Sequence, residues 1–358
     1  ANANPGDDVI VMKAGTYVLS ACPVATTDED FFDLNLNGDL DVIDPSGGSL
    51  TFKAVGWPNS GYVLLTTSCE NQRLIDNHGP GAVHVVGLTL TGGHASYGGA
   101  IRSQVAPLSL ESVTFRGNNA TYGGAVWVSK YEFIVRNSWF EGNHATDAGG
   151  AVSMIGTTST ITNSSFFQNS SDENGGAIHT SASASLLMTD SLIEGNSAKE
   201  GGGLYGVNLN ATVAKSKFRL NYAFSDVQGY NGNGGGAFLY CTTVGPFWLP
   251  RAIDLDPTPT YLPDCATSFV DTDFEVNVVD GTSSASGGAI WAWKNVVNFE
   301  GCKFIANYAQ GSGGALQLRQ SHSKMVDNLF YVNAADVSAG ALDANNFAYI
   351  ISRDNLFL

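Results

Sequence analysis

Basic side chains are scarce in this 358-residue chain: 17 Lys and Arg stand against 33 Asp and Glu, a formal charge of −16. Such a surface repels phosphate backbones and anionic lipid, and no basic stripe offsets it, so nucleic acid is excluded as a partner. Long apolar runs are missing too. None approaches the roughly eighteen residues that span a bilayer, which excludes membrane insertion by a helix. Charged residues make up 14% of the chain and prolines number 11, beside 42 glycines without a G-X-Y period. These scarcities exclude a charged helical protein, a disordered tail and a collagen. The opening, "ANANPGDDVIVM", has neither a basic n-region nor an apolar h-region. It reads as the start of a mature, secreted chain whose signal peptide has been removed.

What is present is 43% hydrophobic residues, ample for a core, set in Gly-, Asn- and Ser-rich text of the kind that makes short strands and turns. The text repeats. A Gly-Gly pair recurs at Gly98, Gly123, Gly149, Gly175, Gly202, Gly235, Gly287 and Gly313, with a degenerate copy at Ala339-Gly340, mostly in steps of 25 to 27 residues. An aromatic position recurs at Phe115, Phe140, Phe166, Phe218, Phe274, Phe304, Phe330 and Phe357, with Ile193 in one copy, and Asn follows three residues later at 118, 143, 169, 196, 221, 277, 307 and 333. Helical repeats would place apolar residues at i, i+3, i+4 and i+7, whereas these runs are short and alternating. The spacing predicts an all-β fold: a parallel β-helix of roughly a dozen coils, each holding two or three strands. On this reading Phe builds an internal stack, Asn ties its amide to backbone of neighbouring coils, and Gly-Gly turns the chain where a Cβ would clash.

Residues 1–358 are then one domain, with irregular coils over 1–97 and repeat coils over 98–358. "DDVIVMKAGTYVLS", "GSLTFKAVG", "YVLLTTS" and "VHVVGLTLTGG" supply the first strands. The proline-rich segment 241–265 doubles the local spacing, and it is expected to leave one coil as a loop clamped at its base by Cys241 and Cys265. Cys22 and Cys69 are expected to pair in the same oxidising compartment, which leaves Cys302 odd. Cys302 stands in a slot filled by Ser112, Ser138, Ser164, Ser191, Ser216 and Thr272 elsewhere, the place of a small buried side chain. Asn119, Asn163, Asn169 and Asn210 open Asn-X-Ser/Thr triplets, acceptors for glycosylation in a secreted protein, though a chain this rich in Asn, Ser and Thr also produces them by chance.

"GGAI" at 98–101, 175–178 and 287–290, with Phe-x-x-Asn at 115–118, 140–143, 166–169, 218–221, 274–277, 304–307 and 330–333, resembles the repeat of chlamydial polymorphic outer-membrane proteins. The resemblance extends over residues 8 to 358 and implies a right-handed parallel β-helix of an extracellular or cell-surface protein. It does not select among adhesins, filaments and polysaccharide-cleaving enzymes, which share this solenoid.

Three groups of residues carry candidate chemistry. Asp33, Asn35, Asn37, Asp39, Asp41 and Asp44 in "DLNLNGDLDVID" follow the spacing of a calcium-binding loop, and the same residues read equally as a solvated acidic turn. No other cofactor is implied. The residues that follow each Gly-Gly-Ala-apolar unit should face outward: Arg102, Trp127, Ser153, His179, Tyr205, Leu239, Trp291, Gln317 and Asp343. Trp127, His179, Tyr205 and Trp291, with Trp293 beside them, form an expected exposed stripe for sugar stacking or a protein interface, and the competing reading is that the 241–265 loop covers it. Arg319, His322 and Lys324 form the one basic cluster, without the aligned acids a polysaccharide lyase or hydrolase needs. The expected function is therefore not enzymatic. It is a structural or adhesive solenoid that meets copies of itself, cell-surface proteins or glycans, and stacks head to tail into a filament where "DNLFL" leaves backbone to be capped or continued. A carbohydrate-binding module is the runner-up, and a polysaccharide lyase or hydrolase the third reading.

Overall fold

The protein was analysed as a computed structural model, which describes residues 7–19, 40–42, 48–56, 62–67, 69, 71–225, 232–242, 265–346 and 348–358. One coil shows the plan. Ile101–Ser103 lies in sheet 1, Leu108–Glu111 in sheet 2, Thr114–Arg116 in sheet 3 and Asn119–Tyr122 in sheet 4. The next coil repeats each strand in parallel register, pairing Ile101 with Val126, Leu108 with Phe133, Phe115 with Phe140 and Asn119 with His144. Carried along the chain, this gives sheets of 11, 12, 12 and 9 strands. The solenoid is right-handed and all-β, with no helix among the described residues.

Alternation places one face of each strand inside. Phe115, Phe140, Phe166, Phe218, Phe274, Phe304 and Phe330 are buried in a column, with ring centroids 4.7 Å apart for Phe115–Phe140 and Phe140–Phe166 and 5.1 Å for Phe274–Phe304, all close to parallel. Strand pairing at ~4.8 Å fixes that spacing, so identical rings stack wherever neighbouring rungs both carry Phe, and Ile193 fills the rung between Phe166 and Phe218. Three residues on, the asparagines form a second column. The Asn143 side-chain oxygen accepts from both the Asn118 backbone N–H (3.0 Å) and the Asn118 amide (2.9 Å), while the Asn143 amide donates to the Phe115 carbonyl (3.1 Å). The same three bonds recur from Asn169 to Asn333. The turn is thereby satisfied inside a core where an unpaired amide would be costly.

Glycine is required where sheet 4 gives way to sheet 1. A Cβ on Gly150 would lie 2.1 Å from the Gly176 carbonyl oxygen and 2.3 Å from that of Ser170. Only bare backbone fits there.

The N-terminal strands fall where expected: Asp8–Met12 and Leu50–Ala54 in sheet 2, Gly15–Leu19 and Val63–Thr67 in sheet 3. At the insertion, strand Ala237–Tyr240 ends one residue before Cys241, and strand Ala266–Val270 begins one residue after Cys265. The two cysteines are bonded, as expected. Register passes across undisturbed, with Phe238 paired to Trp291 and Asn221 bonded to Asn277 at 3.0 Å. Cys69 is disulfide-bonded; Cys22, its expected partner, lies outside the described residues.

Two frames differ from the sequence reading. In the runs Gly201-Gly202-Gly203 and Gly234-Gly235-Gly236, the left-handed first glycine is Gly201 and Gly234, so Gly203 and Gly236 take the alanine slot. Three equal residues hide which one turns. Likewise Ser112, with φ of 52°, aligns with Asn137 at the corner, and Val113 takes the serine slot: its N–H donates to the Ser138 hydroxyl at 3.2 Å.

Candidate functional site

The outward row of sheet 1 runs in register from Asp76 through Arg102, Trp127, Ser153, His179, Tyr205, Phe238, Trp291 and Gln317 to Asp343. Sequence alternation places eight of these correctly and misplaces one. The frame at Gly234–Ala237 puts Phe238 in the row and Leu239 in the core, fully buried.

The row is not an exposed platform. Trp291 is 6% exposed and Phe238 5%, while Trp127, His179, Tyr205 and Trp293 are half-buried. Nor are the ring faces free. His179, Tyr205, Phe238 and Trp291 stack on one another at 5.5, 4.8 and 4.5 Å, with interplanar angles of 18° or less. Trp293 stacks on Tyr240 at 5.0 Å, donates its indole N–H to Gln320 Oε1 (2.9 Å), and carries the Lys294 ammonium over its ring. Trp127 meets Tyr97 edge-on at 5.2 Å, and Tyr97 stacks on Tyr122. The rung spacing that aligns His179, Tyr205, Phe238 and Trp291 makes each the neighbour's cover, while Trp127 stands between Arg102 and Ser153, so the expected exposed stripe is corrected to a half-buried row with a packed aromatic ladder over those four rungs.

Charge is concentrated at two points beside this ladder. At its N-terminal end Asp76, 1% exposed, accepts from Arg102 Nε (2.9 Å) and Nη2 (2.6 Å), from Arg73, and from the His78 ring 3.0 Å away. Burial alone would raise its pKa, but Arg73, His78 and Arg102 outweigh that and hold the carboxyl well below the usual range. Arg73 also donates to the Tyr97 and Gly98 carbonyls, which ties this network to the first repeat coil. Sequence reading missed it, because Asp76 and Arg102 meet only through the register of sheet 1.

Beside Tyr205, Glu200 bridges Asn174 and Asn233 between rungs. Burial pushes its pKa up to about 7, against a hydrogen bond with Asn233, and the Glu173 charge adds to the rise. Glu173 is itself held by the Lys199 ammonium. Burial likewise pushes His179 down to about 4; its Nδ1 lies 3.1 Å from the Ser153 hydroxyl.

Sheet 3 carries paired charge outward: Arg116 with Glu141 at 2.6 Å, Lys217 with Glu275 at 2.8 Å. At the corner between sheets 2 and 3, an open cavity of about 560 Å³ runs across four coils, from Asn163 to Asp273. Neither feature was foreseen from sequence.

Other expected positions fall as follows. Asp33, Asn35, Asn37, Asp39 and Asp44 lie outside the described residues, and Asp41 sits in strand Leu40–Val42, paired with Asp76. Among the described residues no group of three or more His, Cys, Asp and Glu is arranged to hold a metal. Arg319 closes a strand of sheet 1, whereas His322 and Lys324 lie on sheet 2, where His322 meets the Tyr349 ring. Asn163 and Asn210 are exposed and Asn119 half-exposed, while Asn169 is fully buried in the ladder and closed to glycosylation. Cys302 is a buried free thiol whose Sγ lies 3.3 Å from the Phe269 carbonyl oxygen, and burial pushes it up to about 12.

Residues 163–181 match the Chlamydia polymorphic membrane protein repeat. That stretch holds one rung of each signature, Phe166 with Asn169 and Gly175-Gly176. No curated protein matches the chain. Among solved structures, the catalytic domain of a GH87 alpha-1,3-glucanase in complex with tetrasaccharides is similar at 8% identity and a TM-score of 0.39; the likeness covers 97% of this chain and 64% of that one. An overlap so loose says nothing of shared chemistry. The chain is a parallel β-helix whose repeat, at residues 163–181, is similar to that of the Chlamydia polymorphic membrane proteins.

Proposed function

We propose that this chain is a structural or adhesive solenoid of the cell surface or extracellular space, which presents long faces to protein or glycan partners and stacks head to tail with copies of itself. The observation that supports the reading is the unbroken Asn ladder from Asn118 to Asn333, which continues past the insertion at Cys241–Cys265. Every repeated residue type is used in packing, so what the repeats deliver is fixed spacing of the outward side chains. The repeat match fits a surface protein.

Electron microscopy over a range of concentrations tests self-association: rods of increasing length are expected, and dispersed particles of one size throughout would sink that part. Beads coated with the protein test adhesion, with retention on cells or extracellular matrix as the expected result. Beads that wash off every surface as freely as uncoated ones would remove the adhesive role.

A further inference from the structure

At the corner between sheets 2 and 3, Asn163, Asp190, Lys215 and Asp271 occupy one position in four successive coils, with φ of 46°, 52°, 48° and 47°. All four are exposed. Two residues further along each coil, Ser165, Leu192, Lys217 and Asp273 pair in register along sheet 3. The cavity of about 560 Å³ lies along these two rows, within the size range of small-ligand sites. Four rungs at ~4.8 Å give it a length of roughly 14 Å. Its lining mixes amide, hydroxyl, carboxylate and ammonium groups in place of a single charge.

One rung before Ser165 in the same row stands Trp139, 39% exposed. Its axial neighbours are Thr114 and Ser165, so no ring covers it from above or below. The nearest ring, Phe167, is 6.1 Å away and tilted by 41°. The indole N–H is held by Glu141 Oε2 at 3.2 Å. Trp139 therefore differs from His179, Tyr205, Phe238 and Trp291, whose faces are stacked on one another: no ring is stacked on its own faces.

The geometry points to a carbohydrate site: the groove takes a short, linear, neutral oligosaccharide lying along the solenoid axis, with one sugar ring on Trp139. A pyranose offers an apolar C–H face to an indole. Its hydroxyls both donate and accept, which suits carboxylates of Asp190 and Asp271 alternating with the Lys215 ammonium and the Asn163 amide. Lys217 is already engaged by Glu275 at 2.8 Å. With that cation neutralised, and a chain charge of −16, an anionic sugar is disfavoured. This assignment rests on the adhesive reading above and names the class of partner.

The test uses the full chain made in a bacterial host, so that Asn163 carries no glycan. Gluco-, manno- and galacto-configured trisaccharides, their N-acetylated forms and uronate trisaccharides are titrated calorimetrically. Binding of a neutral or N-acetylated member is expected, weakened at least tenfold by Trp139→Ala and several-fold by Asp271→Asn. Tyr97→Ala, which removes an equally exposed ring on sheet 4, should leave affinity unchanged. Unaltered thermal unfolding of each variant establishes that the fold is intact. Absence of binding to all neutral members, preference for uronates, or affinity indifferent to Trp139→Ala each overturns the site. A protein that forms rods or coats cells but binds no sugar would lose this site and keep the solenoid role; failure of both would remove both.

Discussion

Asn143 gives one side-chain oxygen to two donors of Asn118, at 3.0 Å and 2.9 Å, and spends its own amide on Phe115 and Asn169. Replacing it with alanine leaves buried groups unpaired on both sides. Asn143→Ala should cost about 3 kcal/mol in urea unfolding, because each buried orphan costs ~1–3 kcal/mol. Hydrogen exchange should show the loss concentrated in the adjoining coils, since a solenoid's contacts are nearest-neighbour. Uniform loss of protection along the chain would contradict that account.

Asp76 is the shared anion of Arg73, Arg102 and His78. Asp76→Ala strands guanidinium groups in a buried site and should destabilise by about 3–5 kcal/mol. Its lowered pKa means that the contribution is present above the ordinary Asp value of 3.8 and disappears as pH falls below it. Wild type and variant should therefore converge in acid unfolding; a gap that persists at low pH would assign the loss to packing.

Glu200 gives the opposite sign. Its pKa is raised from 4.5 to about 7, so its stabilising share is complete below 4.5 and is lost as pH rises through 7. Glu200→Gln keeps an acceptor for Asn233 and removes the buried charge. The variant should exceed wild type by about 2 kcal/mol at about pH 8 and match it at about pH 4. Equal stability at both values would place the carboxylate in water.

Cys302 occupies a slot where Ser164 and Ser191 accept a backbone N–H from the preceding rung and donate to a nearby carbonyl. Cys302→Ser should fold with stability within about 1 kcal/mol of wild type, because the hydroxyl can donate to the same carbonyls. Thiol reagents should leave the native protein untouched and label it only on unfolding; rapid native labelling would contradict its burial.

The fold was legible wherever stacking compels identity. Phe166 and Asn169 must resemble their neighbours one coil away, so packing wrote itself into the sequence as a period. The outward residues carry no such obligation. Trp139, Asp190 and Lys215 lie on different coils, and only rung-to-rung register brings their rows together. The Asp76–Arg102 contact was hidden for the same reason. Alternation revealed that Tyr205 and Trp291 face out, but not that each ring would cover the next. Runs of like residues also concealed a frame, as Gly234–Gly236 did for Phe238.

Each amide in the asparagine column gives one N–H to the side-chain oxygen of the following coil's asparagine, from Asn118 to Asn143 and on through Asn307 to Asn333, and the other N–H back to a carbonyl of the preceding coil, as Asn143 does to Phe115. The two ends of the column consequently differ: one offers side-chain oxygens and the other amide N–H groups. An amide chain of this kind accepts a new rung only in one orientation, so two solenoids could join this column tail-on-head and not mirror-wise. Polarity of assembly would thus be set by a side chain that never reaches the surface.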